Sequence, residues 1–493
     1  MPIALPQPHA NELPAAYAQR VGQWYLTWTQ SNKDLGQYFT PLATARFMAE
    51  NLPLSGERVR LLDPGAGIGI LACAVCEISN VDIELEAFEL DHQLAECLDA
   101  CLSYAQQWLS ERGHSLDYII RREDFVLAYA DALYWPTFQS FDAIIANPPY
   151  FKISKSDPRA QAAERVVYGQ PNIYALFMAV SAALLRTGGH AVFITPRSYA
   201  AGQYFSRFRE YFFDKMRPRL FHLFDSRRDV FDEVLQESLI LLAERSQEDR
   251  QVIVSASASG TDFEQVTRRV KPIDKVISAD YVIHLALSEQ DDSIAEIVRS
   301  WSGSLHAYNM EISTGPVVPF RATEHVSAIG NVPVTHAPLL WMQNVQPMRC
   351  EWPVRHKAQY IRLDGAEKLL LPNRNYVLLR RFSAKEERQR LTAAPYLAQL
   401  PSQFIGIENH LNYIYRPSGN LTNDETQGLA VLLNSSLLDT YFRMFNGNTQ
   451  VSATELRSLP LPPIEAIIEL GRLSAHSNTP VDVLITEVLG LYA

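Results

Sequence analysis

No apolar run in this 493-residue chain is long enough to cross a bilayer, which takes about 20 predominantly apolar residues in a helix. The N-terminus also lacks the basic-then-apolar pattern of a secretory signal. These two absences predict a cytoplasmic protein with no membrane contact. Cysteine is scarce: five residues, an odd number that argues for free thiols in a reducing compartment. Four of them are spaced as Cys73-x2-Cys76 and Cys97-x3-Cys101, which superficially matches a zinc site. Both pairs alternate with Ala, Val and Leu in amphipathic helices, so they read as buried, inert thiols and no metal is expected. Internal repeats and low-complexity tracts are missing. So is an excess of basic charge: 44 Lys and Arg against 55 Asp and Glu leave a net charge of −11, which taken alone argues against a nucleic-acid partner.

The distribution of charge changes that inference. Residues 1–300 carry 28 basic and 39 acidic side chains, whereas 301–465 carry 15 and 13. Between Arg349 and Arg390 there are eleven basic residues and five acidic ones. Aromatic residues interleave with them: Trp352, Tyr360, Tyr376 and Phe382 lie among Arg349, Arg355, Lys357, Arg362, Arg374, Arg380 and Arg381. Such a segment is either an ordinary solvated surface or one suited to nucleic-acid phosphates and groove edges. The length predicts two or three domains.

The first 245 residues alternate strands with helices. Helical periodicity covers 13–30, 42–51, 70–78, 173–185 and 203–216, and apolar runs mark strands at 59–62, 83–88, 118–120, 143–146, 190–195, 220–224 and 238–243. This is the pattern of a doubly wound, mostly parallel α/β sheet of seven strands. No helix separates the last pair, which predicts one antiparallel strand. The stretch 152–170 reads as a surface loop or lid, and 247–300 as a connecting segment containing an alternating run at 252–256. A late helix pair is expected at 427–446 and 463–473.

Several strand ends carry polar residues suited to chemistry. The first leads into Asp63-Pro64-Gly65-Ala66-Gly67-Ile68-Gly69 and then a helix, the context of a nucleotide-binding turn. No Gly-Lys-Ser/Thr follows, which excludes a phosphate-binding P-loop. Gly69 comes two residues after Gly67, not three, which departs from the dinucleotide pattern. Glu89 ends the next strand, where a carboxylate can accept hydrogen bonds from ribose hydroxyls or cap a helix. Asp124 and Phe125 end the third, an acid and a ring that suit an adenine. Upstream, Thr40 and Pro41 stand at a helix start, as a capped turn or as an anion site. The fourth strand ends in Asn147-Pro148-Pro149-Tyr150. Its prolines have no N–H to donate and hold the backbone stiffly, so an amide, fixed carbonyls and a ring are presented at the sheet edge where ligands bind. An amino group held there by the Asn147 oxygen and the Pro148 carbonyl would be drawn toward tetrahedral geometry, its lone pair free to attack an electrophile.

These residues, in this order, resemble the amino-methyltransferases of DNA, in the γ arrangement of type II restriction–modification enzymes. The resemblance runs from Gly36-Gln37-Tyr38-Phe39-Thr40-Pro41 through Asp63–Gly69, Glu89, Asp124, Asn147–Tyr150 and Phe231 to Gly447-Asn448-Thr449-Gln450-Val451 and Leu459-Pro460-Leu461-Pro462. It implies the class I fold of enzymes that use S-adenosylmethionine, followed by an α+β target-recognition domain. It further implies that Tyr38, Thr40, Pro41, Asp63, Gly65, Gly67, Gly69, Glu89, Asp124 and Phe125 line the cofactor. Asn147, Pro148, Pro149 and Tyr150 would hold the target amino group, with Phe231 stacked on the far face of an extruded base. Asn at the first motif position favours adenine N6 over cytosine N4, and the lack of a Pro-Cys pair excludes cytosine C5 chemistry.

The expected organisation is an N-terminal helical extension (1–35), a catalytic domain (36–246), a connector (247–300), a DNA target-recognition domain (301–465) and a helical tail (466–493). Arg349, Arg355, Lys357, Arg374, Arg380 and Arg381 are the candidate contacts to double-stranded DNA. A separate restriction endonuclease acting on the same site is the other partner implied, since the residues before Gly36 are too few for a nuclease domain. Methyltransferases of RNA or of a protein glutamine share the Asn-Pro-Pro-Tyr chemistry, and a non-catalytic DNA-binding specificity protein could keep the same fold.

Overall fold

The computed structural model describes residues 5–29, 39–135, 140–225, 237–355, 358–383, 387–447, 449–477 and 479–491. The chain divides into two compact units, Met1–Leu287 and Ser288–Ala493.

The first unit alternates α1 (Pro14–Thr29), α2 (Leu42–Glu50), β1 (Arg58–Asp63), α3 (Ile70–Ile78), β2 (Asp82–Phe88), α4 (His92–Ser110), β3 (Leu116–Arg121), α5 (Phe125–Tyr129), β4 (Phe141–Ala146), α6 (Pro158–Ala162), α7 (Ile173–Leu184), β5 (Leu185–Pro196), α8 (Ser206–Lys215), β6 (Met216–Phe224) and β7 (Ser238–Arg245). These strands lie in the order β3-β2-β1-β4-β5-β7-β6. The first five are mutually parallel, and β7 runs antiparallel between β5 and β6. This is the expected doubly wound sheet with its one reversed strand. Successive side chains of a strand face opposite ways. Leu61, Ile83, Ile145 and Val192 therefore pack beneath α1–α4, and Leu62, Ile144, Phe193 and Leu241 pack beneath α7 and α8.

The structure departs from the expectation of seven strands. β8 (Val252–Ser257) pairs parallel with β6, and β9 (Thr267–Lys271) pairs antiparallel with β8, giving nine strands. The stretch 247–300 is thus not a plain connector. Val252, Val254 and Ala256 bury one side of the alternating run, and a short α9 (Ile273–Val276) follows within the same unit. Nor is α1 a separate extension, because it packs on α3 and α4. The stretch 152–170 contains α6 and a 3-10 turn at Glu164–Val166. Cys73, Cys76, Cys97 and Cys101 are buried free thiols on α3 and α4, and burial raises the pKa of each. Among the described residues no helix is long and apolar enough to cross a membrane.

The second unit is α+β. It comprises α10 (Glu289–Ser300), β10 (Glu311–Thr314), β11 (Val326–Ser327), β12 (His336–Leu340), β13 (Val345–Gln346), β14 (Arg349–Cys350), β15 (Tyr360–Arg362), β16 (Leu370–Pro372), β17 (Asn375–Arg380), β18 (Ala393–Leu397), β19 (Phe404–Ile407), β20 (Leu411–Tyr415), α11 (Asn423–Leu433), α12 (Ser436–Phe445), α13 (Ala453–Arg457), α14 (Ile464–His476) and α15 (Val481–Leu489). One sheet is ordered β10-β20-β17-β18 and another β11-β15-β12-β19-β16. The helix expected at 427–446 is broken after Leu433, where Ser435 caps α12 by accepting from the Leu438 N–H. The residues expected as a tail belong to this unit, because α14 crosses α11 closely. A Cβ on Gly428 would lie 1.8 Å from the Ile467 carbonyl oxygen, and one on Gly471 would lie 1.9 Å from that of Asp424.

Candidate active site

Chain order reverses between β1 and β4, and doubly wound sheets bind ligands at the carboxyl ends of strands at such a point. Asp63 closes β1, and Asn147 follows β4 directly. The turn after Asp63 needs positive φ at Gly67 (+56°) and Gly69 (+80°), which glycine adopts at no steric cost. The turn is fastened to β2: the Ala66 N–H donates to the Phe88 carbonyl at 2.9 Å, and the Gly67 N–H donates to Glu89 Oε2 at 3.0 Å. Glu89 Oε1 accepts from the Asp91 N–H at 2.8 Å. Burial raises the Glu89 carboxyl, and these two amides act against it. Asp91, not Glu89, is the helix cap, accepting from the Gln93 and Leu94 amides at the head of α4.

A cavity of about 530 Å³ opens between these strand ends. It is lined by Gly65, Gly67, Glu89, Asp124, Phe125, Asn147, Pro148, Pro149 and Tyr150, nine residues singled out in the sequence and drawn from four separate segments. Asp124 caps α5 through Oδ1, which accepts from the Leu127 N–H at 3.0 Å, and its Oδ2 lies 3.7 Å from Arg159 Nη1. Phe125 is buried between Phe88 and Phe177, with ring centroids at 5.3 and 5.1 Å.

Other residues singled out in the sequence do not line the cavity. Asp63 lies one step behind the wall and is 0% exposed. Neither of its carboxylate oxygens reaches a hydrogen-bond partner of good geometry. Burial pushes the carboxyl up to about 8; the Gly65 amide opposes this and Glu89 adds repulsion. Gly69 turns away, since a Cβ there would stand 2.6 Å from Leu98 Cδ1, so this glycine serves the turn and the packing of α3 on α4. Pro41 occupies the N-cap of α2, which begins at Leu42; the sequence placed the cap at Thr40. Tyr38, Phe231 and Lys357 lie outside the described residues.

At the Asn-Pro-Pro-Tyr turn the Asn147 amide is held on both sides. Nδ2 donates to Thr40 Oγ1 at 3.0 Å, and Oδ1 accepts from the Tyr150 hydroxyl. The hydroxyl oxygen also stands 2.9 Å from the Ile194 carbonyl of β5. The Tyr150 ring meets Tyr174 edge-on, at 6.3 Å and 89°. Burial raises the Tyr150 phenol well above its usual range, so it stays protonated and donates.

The family model for Eco57I restriction-modification methylase matches residues 78–231. M.BsuBI, a type II methyltransferase of Bacillus subtilis, is 32% identical over 466 residues, which cover 90% of each chain. The chain belongs to the type II methyltransferases. A second relative, the type II methyltransferase M.PstI of Providencia stuartii, is 30% identical over 485 residues and 93% of both chains. Among solved structures, the type IIL restriction–modification enzyme MmeI in complex with DNA superposes with a TM-score of 0.54 over 96% of this chain and 74% of that one. At 12% identity that likeness bears on fold alone.

In this type II methyltransferase some cavity residues were not legible in the sequence. Phe88 and Phe177 sit inside apolar runs that read as core. Arg159 belongs to the polar stretch after Tyr150. Its guanidinium is fixed by Asp157 at 2.8 and 2.7 Å, and only its position on the Asp124 side of the cavity reveals a role. The candidate DNA contacts also separate. Arg349 and Arg355 are exposed, the former paired with Glu351. Arg374, Arg380 and Arg381 are half-buried and donate to the backbone carbonyls of Gly419, Val345 and Asn409.

Proposed function

We propose that this type II methyltransferase moves a methyl group from S-adenosylmethionine to N6 of an adenine turned out of double-stranded DNA. It would be the cytoplasmic modification half of a restriction–modification system whose separate endonuclease cuts the same site. The observation that carries the reading is the Asn147 amide, held at the end of β4 between the Thr40 and Tyr150 hydroxyls, on the wall of the cavity that also holds Glu89 and Asp124.

The residues present fit the cofactor. Glu89 offers carboxylate oxygens to a ribose diol, Asp124 an acceptor to an exocyclic amine, and Phe125 with Phe88 and Phe177 an aromatic wall to adenine. The unsatisfied carboxylate of Asp63 is matched to the cationic amine of a methionine end, with Gly65, Gly67 and Gly69 shaping the turn in front of it. Bound there, S-adenosylmethionine supplies a methyl group on positively charged sulfur.

The chain's task is then mainly positioning. Asn147 Oδ1 and the Pro148 carbonyl accept the two N–H bonds of the target amino group. That takes its lone pair out of conjugation with the ring and stabilises the positive charge that develops on nitrogen. Pro149 keeps the turn rigid. No general base is required, because the proton leaves after the methyl group arrives, and Tyr150 is held too high to act as one. Extrusion of the base costs a few kcal/mol of unstacking, which stacking on Tyr150 and Phe231 offsets. The exposed Arg349 and Arg355 of the second unit, in the basic segment whose sequence also holds Lys357, Arg374, Arg380 and Arg381, are offered to the phosphates.

The test is methyl transfer from labelled S-adenosylmethionine to duplex DNA, followed by nucleoside mass spectrometry. N6-methyldeoxyadenosine is expected from the wild type and none from Asn147→Ala, with cofactor affinity changed by less than about threefold, since a positioning residue acts on the transition state. Wild-type turnover by Asn147→Ala, or label appearing in RNA in place of DNA, refutes the reading.

A further inference from the structure

Whether a side-chain amide can hold an amino group depends on which way round it stands. The oxygen accepts and the nitrogen donates, and the two are so alike in shape that sterics alone do not choose between them. If Asn147 were flipped it would direct N–H bonds at the N–H bonds of the target, and the site would repel what it must hold. Something in the protein has to fix the flip state.

Among the described residues two contacts bear on it, and they agree. The Tyr150 hydroxyl is a donor to Oδ1, and Thr40 Oγ1 is an acceptor for Nδ2 at 3.0 Å. Tyr150 belongs to the same turn, three residues on, whereas Thr40 lies 107 residues upstream. It is 4% exposed and stands two residues ahead of α2. No side-chain cap hydrogen bond is made at the N-cap of α2, so the Thr40 hydroxyl is not used in starting the helix. A Tyr hydroxyl can donate or accept, and its oxygen is also within 2.9 Å of the Ile194 carbonyl. A Thr hydroxyl has the same double capacity, so neither contact defines the flip state alone; the two act together, Thr40 Oγ1 accepting from Nδ2 while the Tyr150 hydroxyl donates to Oδ1.

We infer that Thr40 is a positioning residue for methyl transfer: its hydroxyl oxygen holds Asn147 Nδ2 and thereby keeps Oδ1 turned to the target amino group. This rests on Asn147 being the acceptor of that group, as proposed above, and goes beyond the cofactor contact that the sequence resemblance implies for Thr40. It also ties the segment in front of α2 to the catalytic turn after β4, so a change at one end of the cavity is felt at the other.

The experiment compares Thr40→Val, which keeps the shape and loses the hydroxyl, with Thr40→Ser, which keeps the hydroxyl. The full-length protein is used, with kcat for methylation of duplex DNA and Kd for S-adenosylmethionine read separately. Thr40→Val is expected to lower kcat roughly 10- to 100-fold, the rate equivalent of one buried hydrogen bond lost from the transition state. Its cofactor Kd should move less than about threefold, and Thr40→Ser should recover most of the rate. Two results overturn the inference: an unchanged kcat with weakened cofactor binding in Thr40→Val, which makes Thr40 a cofactor contact only, or a Thr40→Ser variant as slow as Thr40→Val, which makes the role one of packing. Asn147→Ala separates this from the underlying reading. An inactive Asn147→Ala beside a fully active Thr40→Val sinks the positioning role alone, whereas an active Asn147→Ala sinks both.

Discussion

Replacing Asp63 with Asn should stabilise the cofactor-free protein while impairing cofactor binding. The carboxyl is fully buried, lacks a hydrogen-bond partner of good geometry, and titrates at about 8 instead of the ordinary 3.8. Because the folded value is raised, the folded state binds the proton more tightly than the unfolded chain does. The contribution of this group to stability is therefore complete below about pH 4 and is lost progressively as pH rises toward 8. pH 7 lies about three units above the ordinary value that the carboxyl has in the unfolded chain, and at 1.36 kcal/mol per unit the cost to the folded state is about 4 kcal/mol. Asn keeps the shape and cannot ionise, so the variant escapes that cost.

The assay is urea denaturation of both proteins without cofactor between pH 5 and 8, reading the difference between them. That difference should grow in favour of Asp63→Asn by about 4 kcal/mol across the range. Saturating S-adenosylmethionine should flatten the wild-type dependence, because a cationic amine beside Asp63 holds it ionised. Binding to Asp63→Asn should weaken roughly 10-fold or more with that charge pair gone. Parallel pH curves for the two proteins, with or without cofactor, would refute the reasoning. They would mean that the buried carboxylate is compensated by something else.

Glu89→Ala removes both the proposed ribose acceptor and the carboxylate that ties Gly67 to Asp91, so calorimetry should show cofactor Kd raised roughly 10- to 100-fold, as for a charged hydrogen-bonding group lost. Tyr150→Phe keeps the ring and loses the donor to Asn147; stopped-flow methylation should slow by about 10-fold, one hydrogen bond's worth, with DNA affinity unchanged. At saturating substrates the methylation rate should be flat between pH 7 and 9, since the Tyr150 phenol is held above that range and the chemistry needs no base; a rise of one log unit per pH unit would indicate one. Arg355→Ala should weaken duplex binding and reduce its salt slope by about 0.9. Arg380→Ala should instead lower the melting temperature first, because its Nε is spent on the Val345 carbonyl.

The doubly wound sheet, the reversed strand and most of the cavity wall were readable because each rests on a local pattern. Two-residue alternation marks strands, and polar residues at their carboxyl ends mark the site. Thus Gly65, Gly67, Glu89, Asp124 and Asn147–Tyr150 converge as expected. What was not readable depends on partners distant in sequence. The alternation at 252–256 was visible, but not that β6 would be its neighbour, so the sheet was expected to end two strands early. Phe88 and Phe177 have the composition of core residues, and nothing local says that they border a cavity. Gly69 looks like its neighbours in the turn, yet Leu98, from another helix, determines what it does. Charge counts located the basic stretch, but not that Arg374, Arg380 and Arg381 would donate to backbone carbonyls. The bond from Asn147 to Thr40 spans 107 residues and has no local signature.

Methylation of adenine N6 by the Asn147 turn requires modified adenines at a defined DNA sequence. Modification-sensitive long-read sequencing of DNA from cells expressing the wild type or Asn147→Ala tests it most directly. N6-methyladenine is expected at one short sequence motif, present with the wild type and absent with the variant. Methylation confined to cytosine, or an adenine pattern that persists in Asn147→Ala, would contradict it.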